Sequence, residues 1–438
     1  MSTLSAPTTE PKLSTPARRL SAARIGRKIG HTLLILLASL VALVSLLPVA
    51  LLPVATAVPR ALAGLLILAD AGLLVYLLTR AGTAAARSAV LGGLLAISVL
   101  AMLLSQWYAT TPAISGADGQ RLPGSIAELA AVELNGRTHW LTMRGQDSSK
   151  PILLFLAGGP GGSQLAATRR HLAALEAHFV VVNWEQPGAG KSYHAADFAT
   201  LTPEDYTADG HELTLFLRER FQQEKIYLLG ESWGSLLGVW LVQRFPQHYH
   251  ALAGAAQMVA FLETDTYDYE LALEIAQERG DAGKLKALQA QGPPPYYGRG
   301  LAMKVVEYIM YLSSYMNGNP AIHTNYNTFA DIAAPEYGLY DKVNYVRGLL
   351  RTMEALWPQL WEVDLRQQAP HLEVPVYFLE GRHDVNAPPA LVEDYLDILD
   401  VPHKELIWFE HSGHSPWQEE PEKVVDVMVN TVLQQTAP

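Results

Sequence analysis

The sequence predicts an α/β protein: a mostly parallel sheet with helices on both faces and a helical cap insertion, preceded by N-terminal transmembrane helices. Three observations predict this class. Short apolar runs alternate with stretches of helical composition after residue 128, as in parallel strands joined by crossover helices. Residues 260–372 interrupt that alternation with helical patterns. Residues 29–108 contain three long apolar runs that are nearly free of charge, as membrane-spanning helices are.

Composition limits the chemistry available to the chain. It has 438 residues, of which 49% are hydrophobic and 17% charged, and it has no cysteine. This length accommodates a domain of about 250–300 residues together with additional segments. Without cysteine, neither a disulfide nor a thiolate nucleophile is available, so covalent catalysis would use an oxygen or nitrogen nucleophile.

Charge is distributed unevenly along the chain. Residues 1–110 hold 9 of the 32 Lys and Arg residues but only two acids, Glu10 and Asp70. The remainder has 23 basic and 41 acidic residues, a net charge of −18. Because a surface of that sign repels a phosphate backbone, we expect no nucleic acid partner.

The chain begins with a polar tail followed by a membrane region. Residues 1–28 are rich in Ser, Thr, Pro and Ala and end in a basic cluster, which predicts a disordered tail. The run 29–52 is long enough to cross a bilayer core of about 30 Å, and 61–78 and 89–104 are shorter candidates. Asp70 lies near the middle of the second run, where an acid usually faces other helices or a wet cavity. It is either a packing contact or part of an unknown function.

Lys and Arg counts in the loops predict the orientation of these helices, because positive loops stay in the cytoplasm. The tail holds six such residues, the first loop has only Arg60, and the second loop has Arg80 and Arg87. The next one is Arg121. We therefore expect a multi-pass cell-membrane protein with a cytoplasmic N-terminus and an extracytoplasmic domain after about residue 108. Signal-peptide cleavage at the Ala-x-Ala of residues 55–57 would leave two spans and the same final orientation.

The rest of the chain reads as a hairpin followed by alternating strands and helices. After a polar linker at 109–127, the sequence AAVELNGRTHWLTMRG places two alternating runs around Asn135-Gly136, a strong hairpin signal. The predicted strands are 152–157, 179–184, 226–230, 252–259, 376–380 and 405–410, and the predicted helices are 164–177, 204–222, 233–245 and 416–433.

The segment 260–372 divides this core into two parts, 128–259 and 373–438. It is helical in pattern, unusually aromatic, and punctuated by Gly and Pro at QGPPPYYG and NGNPA. A fold that interrupts its sheet for roughly 110 residues is inserting a substructure of its own. We therefore expect this segment to form a lid or cap over the strand ends.

One serine lies at the junction of a predicted strand and helix in IYLLGESWGSLLGVWLVQRF, residues 226–245. Two interpretations compete: a tight turn that merely requires small residues, or a serine held out as a nucleophile. Gly230, Ser232 and Gly234 match the G-x-S-x-G nucleophile elbow, and the strand-to-helix context that the motif requires is present. This context favours Ser232 as a nucleophile.

A serine nucleophile needs a base, and the base needs an orienting acid. In this topology they should follow Ser232 in the order acid, then histidine, on loops after later strands. Asp384 follows a strand in VYFLEGRHDVNAPP, and both His411 and His414 follow the last strand in LIWFEHSGHSPWQEEPE. His414 is preferred because it lies on a loop that opens a helix, whereas His411 abuts the strand. The alternative for Asp384 is a turn residue or a partner of Arg382.

The tetrahedral intermediate of acyl transfer also needs donors for its oxyanion hole. One is the backbone N–H of Trp233, the residue after the nucleophile. The other is expected from the Gly-rich loop AGGPGGSQ, with Gly159 preferred and Gly158 second. A phosphate-binding loop is the alternative, but no G-K-[ST] completes it and Pro160 removes a donor. GAGKS in NWEQPGAGKSY is a false Walker motif, since Glu185 occupies the position of its first glycine.

Four motifs together resemble the proline iminopeptidase (serine aminopeptidase) branch of the α/β-hydrolase superfamily, over residues 128–438. They are GGPGG after the first parallel strand, W-[DE]-Q-x-G-x-G-x-S after the second, G-x-S-W-G-[ST] at the elbow and G-H-S-P near the end. The resemblance implies the α/β-hydrolase fold with a helical cap, and removal of an N-terminal residue, often proline, from peptides. Many relatives are esterases or amidases.

Four positions depart from the pattern usual in the family. Ala157 stands where the family usually has His, Glu185 where it has Asp and Pro187 where it has Arg, and Glu231 precedes the nucleophile where the family typically has a small residue. These changes leave the catalytic residues intact but bring the proline preference into question. The resemblance also implies that buried cap acids hold the substrate's α-ammonium. The candidates, most of them expected on a solvated helix face, are Glu263, Asp265, Asp268, Glu270 and Glu274.

We therefore expect a membrane-anchored serine hydrolase that acts through an acyl-enzyme, with a proline iminopeptidase-like aminopeptidase as the leading candidate. Ser232 would attack, His414 would transfer the proton and Asp384 would orient the imidazole. Gly159 and Trp233 would bind the oxyanion. The alternatives are an esterase, lactonase or amidase on the same triad and, in another class, a non-catalytic binding module. No metal or organic cofactor is implied; the expected partners are a small-molecule or peptide substrate and the membrane.

Overall fold

The computed structural model describes residues 19–436. These residues form two compact units. The first comprises the described residues up to Pro53 together with Pro59–Leu103, and the second comprises Val54–Val58 and the described residues from Leu104 onward. The first unit contains most of the N-terminal helices, and the second contains the sheet and the cap.

Three long apolar helices make up the first unit: α1 (Arg19–Ala55), α2 (Arg60–Thr79) and α3 (Ala84–Trp107). Each contains a stretch that is long and apolar enough to cross a membrane, by length and composition. The three predicted apolar runs each lie within one of these helices. Small and aliphatic side chains from all three helices pack together, among them Ala42, Leu46, Leu73, Leu77, Val90 and Leu94.

Helix α1 begins inside the segment predicted as a disordered tail, because residues 19–28 are helical. Their sequence, RLSAARIGRK, is rich in Ala, Leu, Arg and Lys, which favour helix. Adding them to an existing apolar helix requires no new nucleation, since each further residue adds one hydrogen bond. Residues 1–18 of the predicted tail lie outside the described residues.

Asp70 belongs to the packed face of α2. The buried residues of this helix are Ala63, Leu66 and Asp70, spaced three and four residues apart, so they share one side of the helix. Asp70 is 2% exposed, and neither of its carboxylate oxygens has a hydrogen-bond partner among the described residues. An apolar helix thus turns its one acid away from the surface that would face lipid.

An eight-stranded sheet forms the centre of the second unit. Its strands are β1 (Ile126–Leu134), β2 (Arg137–Gly145), β3 (Ile152–Leu156), β4 (Val180–Glu185), β5 (Ile226–Glu231), β6 (Tyr249–Ala255), β7 (Val376–Gly381) and β8 (Lys404–Phe409). They lie in the order β1-β2-β4-β3-β5-β6-β7-β8. Strand β2 is antiparallel to both β1 and β4, and all other neighbours are parallel. The predicted mostly parallel sheet is confirmed.

The predicted hairpin and one predicted strand show how backbone conformation sets element ends. Asn135 and Gly136 both have positive φ and join the paired residues at the ends of β1 and β2, as a type I′ turn requires.

The strand predicted at 252–259 has different bounds in the structure, where it runs from Tyr249 to Ala255. Ala256, with φ of 47°, leaves the extended conformation and ends it.

Helices cover both faces of the sheet. Along β3, Leu154 belongs to one buried cluster, and its neighbours Leu153 and Phe155 belong to another, because successive side chains of a strand point to opposite faces. The first cluster includes side chains of α5 (Pro203–Phe221), α6 (Trp233–Arg244) and α13 (Pro389–Ile398); the second includes side chains of α4 (Leu165–His171), α14 (Pro416–Glu419) and α15 (Pro421–Asp426).

The last predicted helix, 416–433, is interrupted. Helix α14 ends at Glu419, α15 begins at Pro421, a π-helical turn spans Val427–Leu433, and α16 follows at Gln434–Thr436. Proline lacks an N–H and its ring crowds the preceding turn, so it begins a helix more readily than it continues one. Pro421 therefore starts a new helix.

Six helices separate β6 from β7, within the segment predicted as a cap. They are α7 (Phe261–Glu278), α8 (Ala282–Gln291), α9 (Leu301–Asn317), α10 (Thr328–Ile332), α11 (Leu339–Leu360) and α12 (Leu365–Gln368). Side chains of α7, α9 and α11 line a cavity together with the loops at the carboxyl ends of β3, β5 and β8. The cap thus covers the sheet edge at which the candidate catalytic residues lie.

Candidate active site

The serine of the G-x-S-x-G motif occupies a strained turn between β5 and α6. Ser232 has φ of 52° and ψ of −121°, which side-chain-bearing residues rarely adopt. A Cβ on Gly230 would collide with the carbonyl of Gly234, and a Cβ on Gly234 would collide with the carbonyl of Leu156. Only glycine at both positions therefore lets the strand, the turn and the helix approach so closely.

The predicted acid and base meet at the ends of β7 and β8. His414 Nδ1 lies 2.9 Å from Asp384 Oδ2 and 3.1 Å from Asp384 Oδ1. The side chain of Asp384 is fully buried, and its Oδ1 also accepts hydrogen bonds from the backbone N–H groups of Asn386 and Ala387, at 2.8 and 3.1 Å. These donors fix the carboxylate, which in turn fixes the imidazole with Nε2 available to a substrate-side partner.

Ser232 and His414 line the same cavity. Within residues 19–436 no hydrogen bond joins Ser232 Oγ to the imidazole; such contacts are often long until substrate binds. Burial lowers the pKa of His414, but the charges of Asp384, Glu231 and Glu419 outweigh that effect and raise it to about 9. The carboxylates around the imidazole therefore stabilise its protonated form, the form that a base reaches after taking a proton.

The structure separates His411 from His414. His411 is exposed, its Nδ1 lies 3.2 Å from the carbonyl oxygen of Ala321, and its ring stacks on His323 at 4.5 Å between centroids. It does not line the cavity of Ser232. The geometry therefore agrees with the preference for His414 as the base.

The Gly-rich loop and the elbow bring two backbone amides to the cavity. Gly158, Gly159 and Trp233 all line it. Gly158 N–H already donates to Gln164 Oε1 at 3.3 Å, which favours Gly159 as the loop's free donor. Gly159 has φ of 143°, and a Cβ there would lie 2.6 Å from the nitrogen of Gly161, so this turn requires glycine.

The cavity that contains these groups has a volume of about 470 Å³ and is rich in acids. None of its described lining residues is Lys or Arg. Four carboxylates line it: Glu231, Asp265, Asp268 and Glu419. Its apolar lining is Trp233, Met258, Phe261, Ile309, Met316, Leu349 and Trp357. The cavity therefore combines an apolar wall with four carboxyl side chains.

Helix α7 divides the five candidate acids between two faces. Asp265 and Asp268 are 2% and 1% exposed and line the cavity, in register with the buried residues Thr264 and Ala272. The exposed acids are Glu263, which pairs with Arg366, together with Glu270 and Glu274. The helical period of 3.6 residues separates these sets, so two of the five candidate anchors face the serine's cavity.

The two cap acids differ in how they are satisfied. Asp265 Oδ2 accepts hydrogen bonds from Tyr308 Oη and Trp357 Nε1, at 2.8 and 2.7 Å. Burial raises its pKa to about 7 despite these donors. Asp268 Oδ1 has no hydrogen-bond partner among the described residues, and burial and the charges of Asp265 and Asp384 raise the pKa of Asp268 well above its ordinary value. A buried carboxylate oxygen with no donor is the natural place for a cation.

Two further acids, Glu231 and Glu419, were not predicted as site residues. Glu231 Oε1 accepts from Ser415 Oγ and its Oε2 from Gln164 Nε2, both at 2.5 Å. Glu419 Oε2 accepts from the backbone N–H groups of Gly413 and Ser415 at 2.8 and 3.3 Å. The departure of Glu231 from the family pattern was the one signal available. Nothing in the sequence distinguishes Glu419 from the other acids of QEEPE.

Comparisons with known proteins show which proteins this chain resembles. Residues 151–289 match the family model described as alpha/beta hydrolase fold. A probable aminopeptidase of Bacillus subtilis is 27% identical over 303 residues, covering 68% of this chain and 93% of that protein. A proline iminopeptidase of Lactobacillus helveticus is 35% identical over 97 residues, 22% of this chain and 31% of that protein.

Solved structures show the same fold at low sequence identity. A proline iminopeptidase of Mycobacterium smegmatis superimposes with a TM-score of 0.51 at 19% identity, over 70% of this chain and 98% of that one. A proline iminopeptidase-related protein of Thermus thermophilus has a TM-score of 0.50 at 21% identity, over 72% and 99% of the two chains. This chain therefore has the α/β-hydrolase fold, and its sequence is similar to those of proline iminopeptidases and a probable aminopeptidase, as its four motifs predict.

Proposed function

We propose that this protein is a membrane-anchored serine aminopeptidase. One observation carries the proposal: the cavity that holds Ser232 also holds Asp268, whose buried Oδ1 has no hydrogen-bond partner among the described residues. None of the described residues that line this cavity is Lys or Arg. A substrate with a free N-terminal ammonium would supply the missing donor and the missing positive charge together. The similarity to a probable aminopeptidase and to proline iminopeptidases supports the same assignment.

The catalytic cycle follows from the placement of three side chains. Ser232 Oγ attacks the carbonyl carbon of the first peptide bond while His414 Nε2 takes its proton. Asp384, held by two backbone N–H groups, keeps the imidazole in the tautomer that accepts this proton and stabilises the imidazolium. His414 then donates the proton to the leaving amine, which leaves an acyl-enzyme. Water activated by the same imidazole releases the N-terminal residue.

Backbone amides would stabilise the charge that develops during attack. The carbonyl oxygen becomes an oxyanion, and the N–H groups of Gly159 and Trp233 would bind it. Both come from backbone positions fixed before substrate arrives, so little reorganisation is needed. Losing one such donor typically costs about 10²–10³ in turnover.

The acids of the cap would distinguish a peptidase from a simple esterase. Burying an unpaired carboxylate is costly, and pairing it with a buried ammonium offsets part of that cost. Asp268 would hold the ammonium, and the apolar wall of Phe261, Ile309 and Trp357 would hold the side chain of the first residue. An esterase, lactonase or amidase on the same triad needs no such anchor, which makes the cap acids the discriminating feature.

Membrane anchoring and topology are also part of the proposal. The three apolar helices are long enough to span a bilayer, and the Lys and Arg distribution favours a cytoplasmic N-terminus. Because the chain has no cysteine, Thr83→Cys between α2 and α3 and Asp118→Cys in the following domain each provide a unique, exposed thiol. An impermeant maleimide should label position 118 in intact spheroplasts and position 83 only after permeabilisation. The reverse pattern would contradict the topology.

Covalent labelling tests the serine chemistry itself. A fluorophosphonate should modify the purified protein once, and peptide mass spectrometry should place the adduct on Ser232. Ser232→Ala should abolish labelling while leaving the melting temperature close to that of the wild type. Failure of the folded wild-type protein to react would instead support a non-catalytic binding module on this scaffold.

A further inference from the structure

Glu231 occupies the variable position of the nucleophile elbow, next to Ser232, and is 3% exposed. Its two carboxylate oxygens serve two different loops. Oε2 accepts a hydrogen bond from Gln164 Nε2, and Oε1 accepts one from Ser415 Oγ, both at 2.5 Å. The Glu231 side chain thus connects the Gly-rich loop, the turn that carries Ser232 and the loop that carries His414. The proposed mechanism depends on the relative positions of these three segments.

The first connection leads to the oxyanion loop. Gln164 Oε1 accepts the N–H of Gly158 at 3.3 Å while its Nε2 donates to Glu231. A Cβ on Gly158 would lie 2.9 Å from Glu231 Oε2, so the loop backbone packs directly against the carboxylate. Because Gly158 precedes the proposed donor Gly159, this chain of bonds controls where that donor lies.

The second connection leads to the loop of the base. Ser415 follows His414 directly, and its hydroxyl donates to Glu231 Oε1. The same loop is held on its other side by Glu419, which accepts the N–H groups of Gly413 and Ser415. Glu231 therefore joins the His414 loop to the strand–helix turn that carries the nucleophile.

The direction of these hydrogen bonds fits a carboxylate at position 231. Both partners donate: the Gln164 amide must present its NH₂ group, because its oxygen is already used by Gly158, and Ser415 presents its hydroxyl. An ionised carboxylate accepts at both oxygens, whereas an amide accepts at only one. A glutamine of the same shape would either set two NH₂ groups face to face at Gln164 or, turned over, present its NH₂ group to Ser415, whose hydroxyl would then accept instead of donating.

We propose that Glu231 is a positioning residue that aligns the oxyanion loop, the nucleophile and the base through this two-sided acceptor. The proposal rests on the serine chemistry proposed above, but not on the preference for an aminoacyl substrate. Glu231 acts through Gly158 and His414 rather than by touching the reacting atoms. Its removal should therefore slow the covalent step without weakening substrate binding.

The test measures labelling by a fluorophosphonate, whose reaction needs the serine, the base and the oxyanion donors but no ammonium. Glu231, Glu419 and Asp384 all face His414 and shift its pKa, so rates are compared on the plateau of each pH profile, where the imidazole is neutral in every variant. Glu231→Leu removes both acceptors and should lower the maximal labelling rate by about 10–10²-fold, the size expected when a catalytic donor is displaced. The half-saturating probe concentration should stay within about twofold.

A swapped pair separates hydrogen-bond direction from simple loss of packing. In the double variant Glu231→Gln/Gln164→Glu, the carboxylate introduced at position 164 can accept from both Gly158 N–H and the new amide. The amide oxygen at position 231 can still accept from Ser415. Gln164→Glu alone would set two carboxylates face to face and should slow labelling, and adding Glu231→Gln should recover most of that loss. Additive losses in the double variant would overturn the proposal.

Controls keep the outcome interpretable if one variant folds poorly. Gln164→Leu and Ser415→Ala break the two connections separately and should each reduce the maximal labelling rate. Glu176→Gln removes another buried carboxylate, one that pairs with Arg144 near the opposite edge of the sheet. It should lower thermal stability but leave the labelling rate per folded molecule unchanged. Wild-type rates in both connection variants would also overturn the proposal, whereas an unreactive wild type would refute the serine chemistry instead.

Discussion

Two pairs of acids line the same cavity, and they differ in what occupies their oxygens. The loop pair, Glu231 and Glu419, accepts hydrogen bonds from the protein's own side chains and backbone. In the cap pair, Asp265 and Asp268, the Oδ1 atom of Asp268 has no hydrogen-bond donor among the described residues. Residues of the same type thus differ in their surroundings, and under the proposed function the loop pair would position the catalytic loops while Asp268 would bind the substrate ammonium.

The contrast follows from the cost of burying charge. A buried carboxylate is tolerated when hydrogen bonds or a counter-charge replace its water, and it otherwise remains protonated. Burial raises the pKa of Glu419 to about 7 even though two backbone amides donate to it. Asp268 has no such compensation at Oδ1, and its pKa is raised well above the ordinary value. A bound ammonium would give Asp268 the hydrogen-bond donor that Glu231 and Glu419 already receive from the protein.

The largest expected effect is loss of the chemistry on which both pairs depend. Ser232→Ala and His414→Ala should each reduce turnover of any substrate by at least ~10³-fold, as triad substitutions do. Neither should reach the uncatalysed rate, because the oxyanion donors remain. His411→Ala is the matched control and should be mild. If it were the disabling change and His414→Ala were mild, the base would be misassigned.

The next largest effect separates the cap pair from the loop pair. Asp268→Asn should reduce kcat/KM for aminoacyl substrates by about 10²–10³-fold, since removing one partner of a buried ion pair costs roughly 3–5 kcal/mol. Simple acyl esters should be turned over at nearly wild-type rates. Glu419→Gln should affect the two substrate classes equally, because it acts on the His414 loop. Equal losses in both classes for Asp268→Asn would remove the distinction between the pairs.

The pH dependence provides an independent comparison. A general base acts in its neutral form, and the pKa of His414 is raised to about 9. The rate for a neutral acyl ester should therefore rise about tenfold per pH unit and level off above pH ~9. Glu419→Gln should move this midpoint to lower pH, because it removes a negative charge that faces the imidazole. A wild-type midpoint near the ordinary histidine value of about 6.5 would contradict the electrostatic description.

Replacing Asp268 should raise the stability of the folded protein at neutral pH, although it should lower aminoacyl activity. Because its pKa is raised in the folded state, the folded protein binds the proton more tightly, and stability is lost as pH rises above the unfolded value of about 4. Asp268→Asn does not titrate, so it should gain about 1 kcal/mol at neutral pH and nothing near pH ~3. Thermal melts at the two pH values test this. A destabilised variant at neutral pH would show that Asp268 already has a partner.

The smallest effect is expected at the exposed acids of α7. Glu263→Gln, Glu270→Gln and Glu274→Gln should each leave activity on all substrates and change stability by no more than about 0.5 kcal/mol. Glu263 pairs with Arg366 at the surface, where such pairs contribute little. A large loss of aminoacyl activity in any of the three would place the ammonium site on the other face of the helix.

The fold could be predicted because it has a local signal, the alternating apolar runs that mark the strands. The proposed triad also rests on a local signal, G-x-S-x-G followed by Asp384 and His414 in the expected order. The break at Pro421 also has a local signal, a proline inside a helical pattern. The helical start at Arg19 is harder to predict, since RLSAARIGRK is polar enough to resemble a tail and gains its helix from the apolar run that follows.

The roles of the acids could not be predicted in the same way. The helical period identifies Asp265 and Asp268 as sharing a face, but not which face meets the cavity, because that depends on how α7 docks. Glu231 is an unusual residue at its position, but its role depends on Gln164 and Ser415, which lie 67 and 184 residues away from it in the sequence. Such roles arise only when distant loops meet at one sheet edge.

The most direct test compares one aminoacyl substrate with its N-acetylated form on the wild-type enzyme. Acetylation removes the ammonium charge but leaves the scissile bond, the side chain and the acyl-enzyme chemistry in place. An ammonium bound at Asp268 predicts a kcat/KM at least ~10²-fold higher for the free substrate. Equal values, with labelling at Ser232 intact, would contradict the aminopeptidase assignment and leave an esterase or amidase.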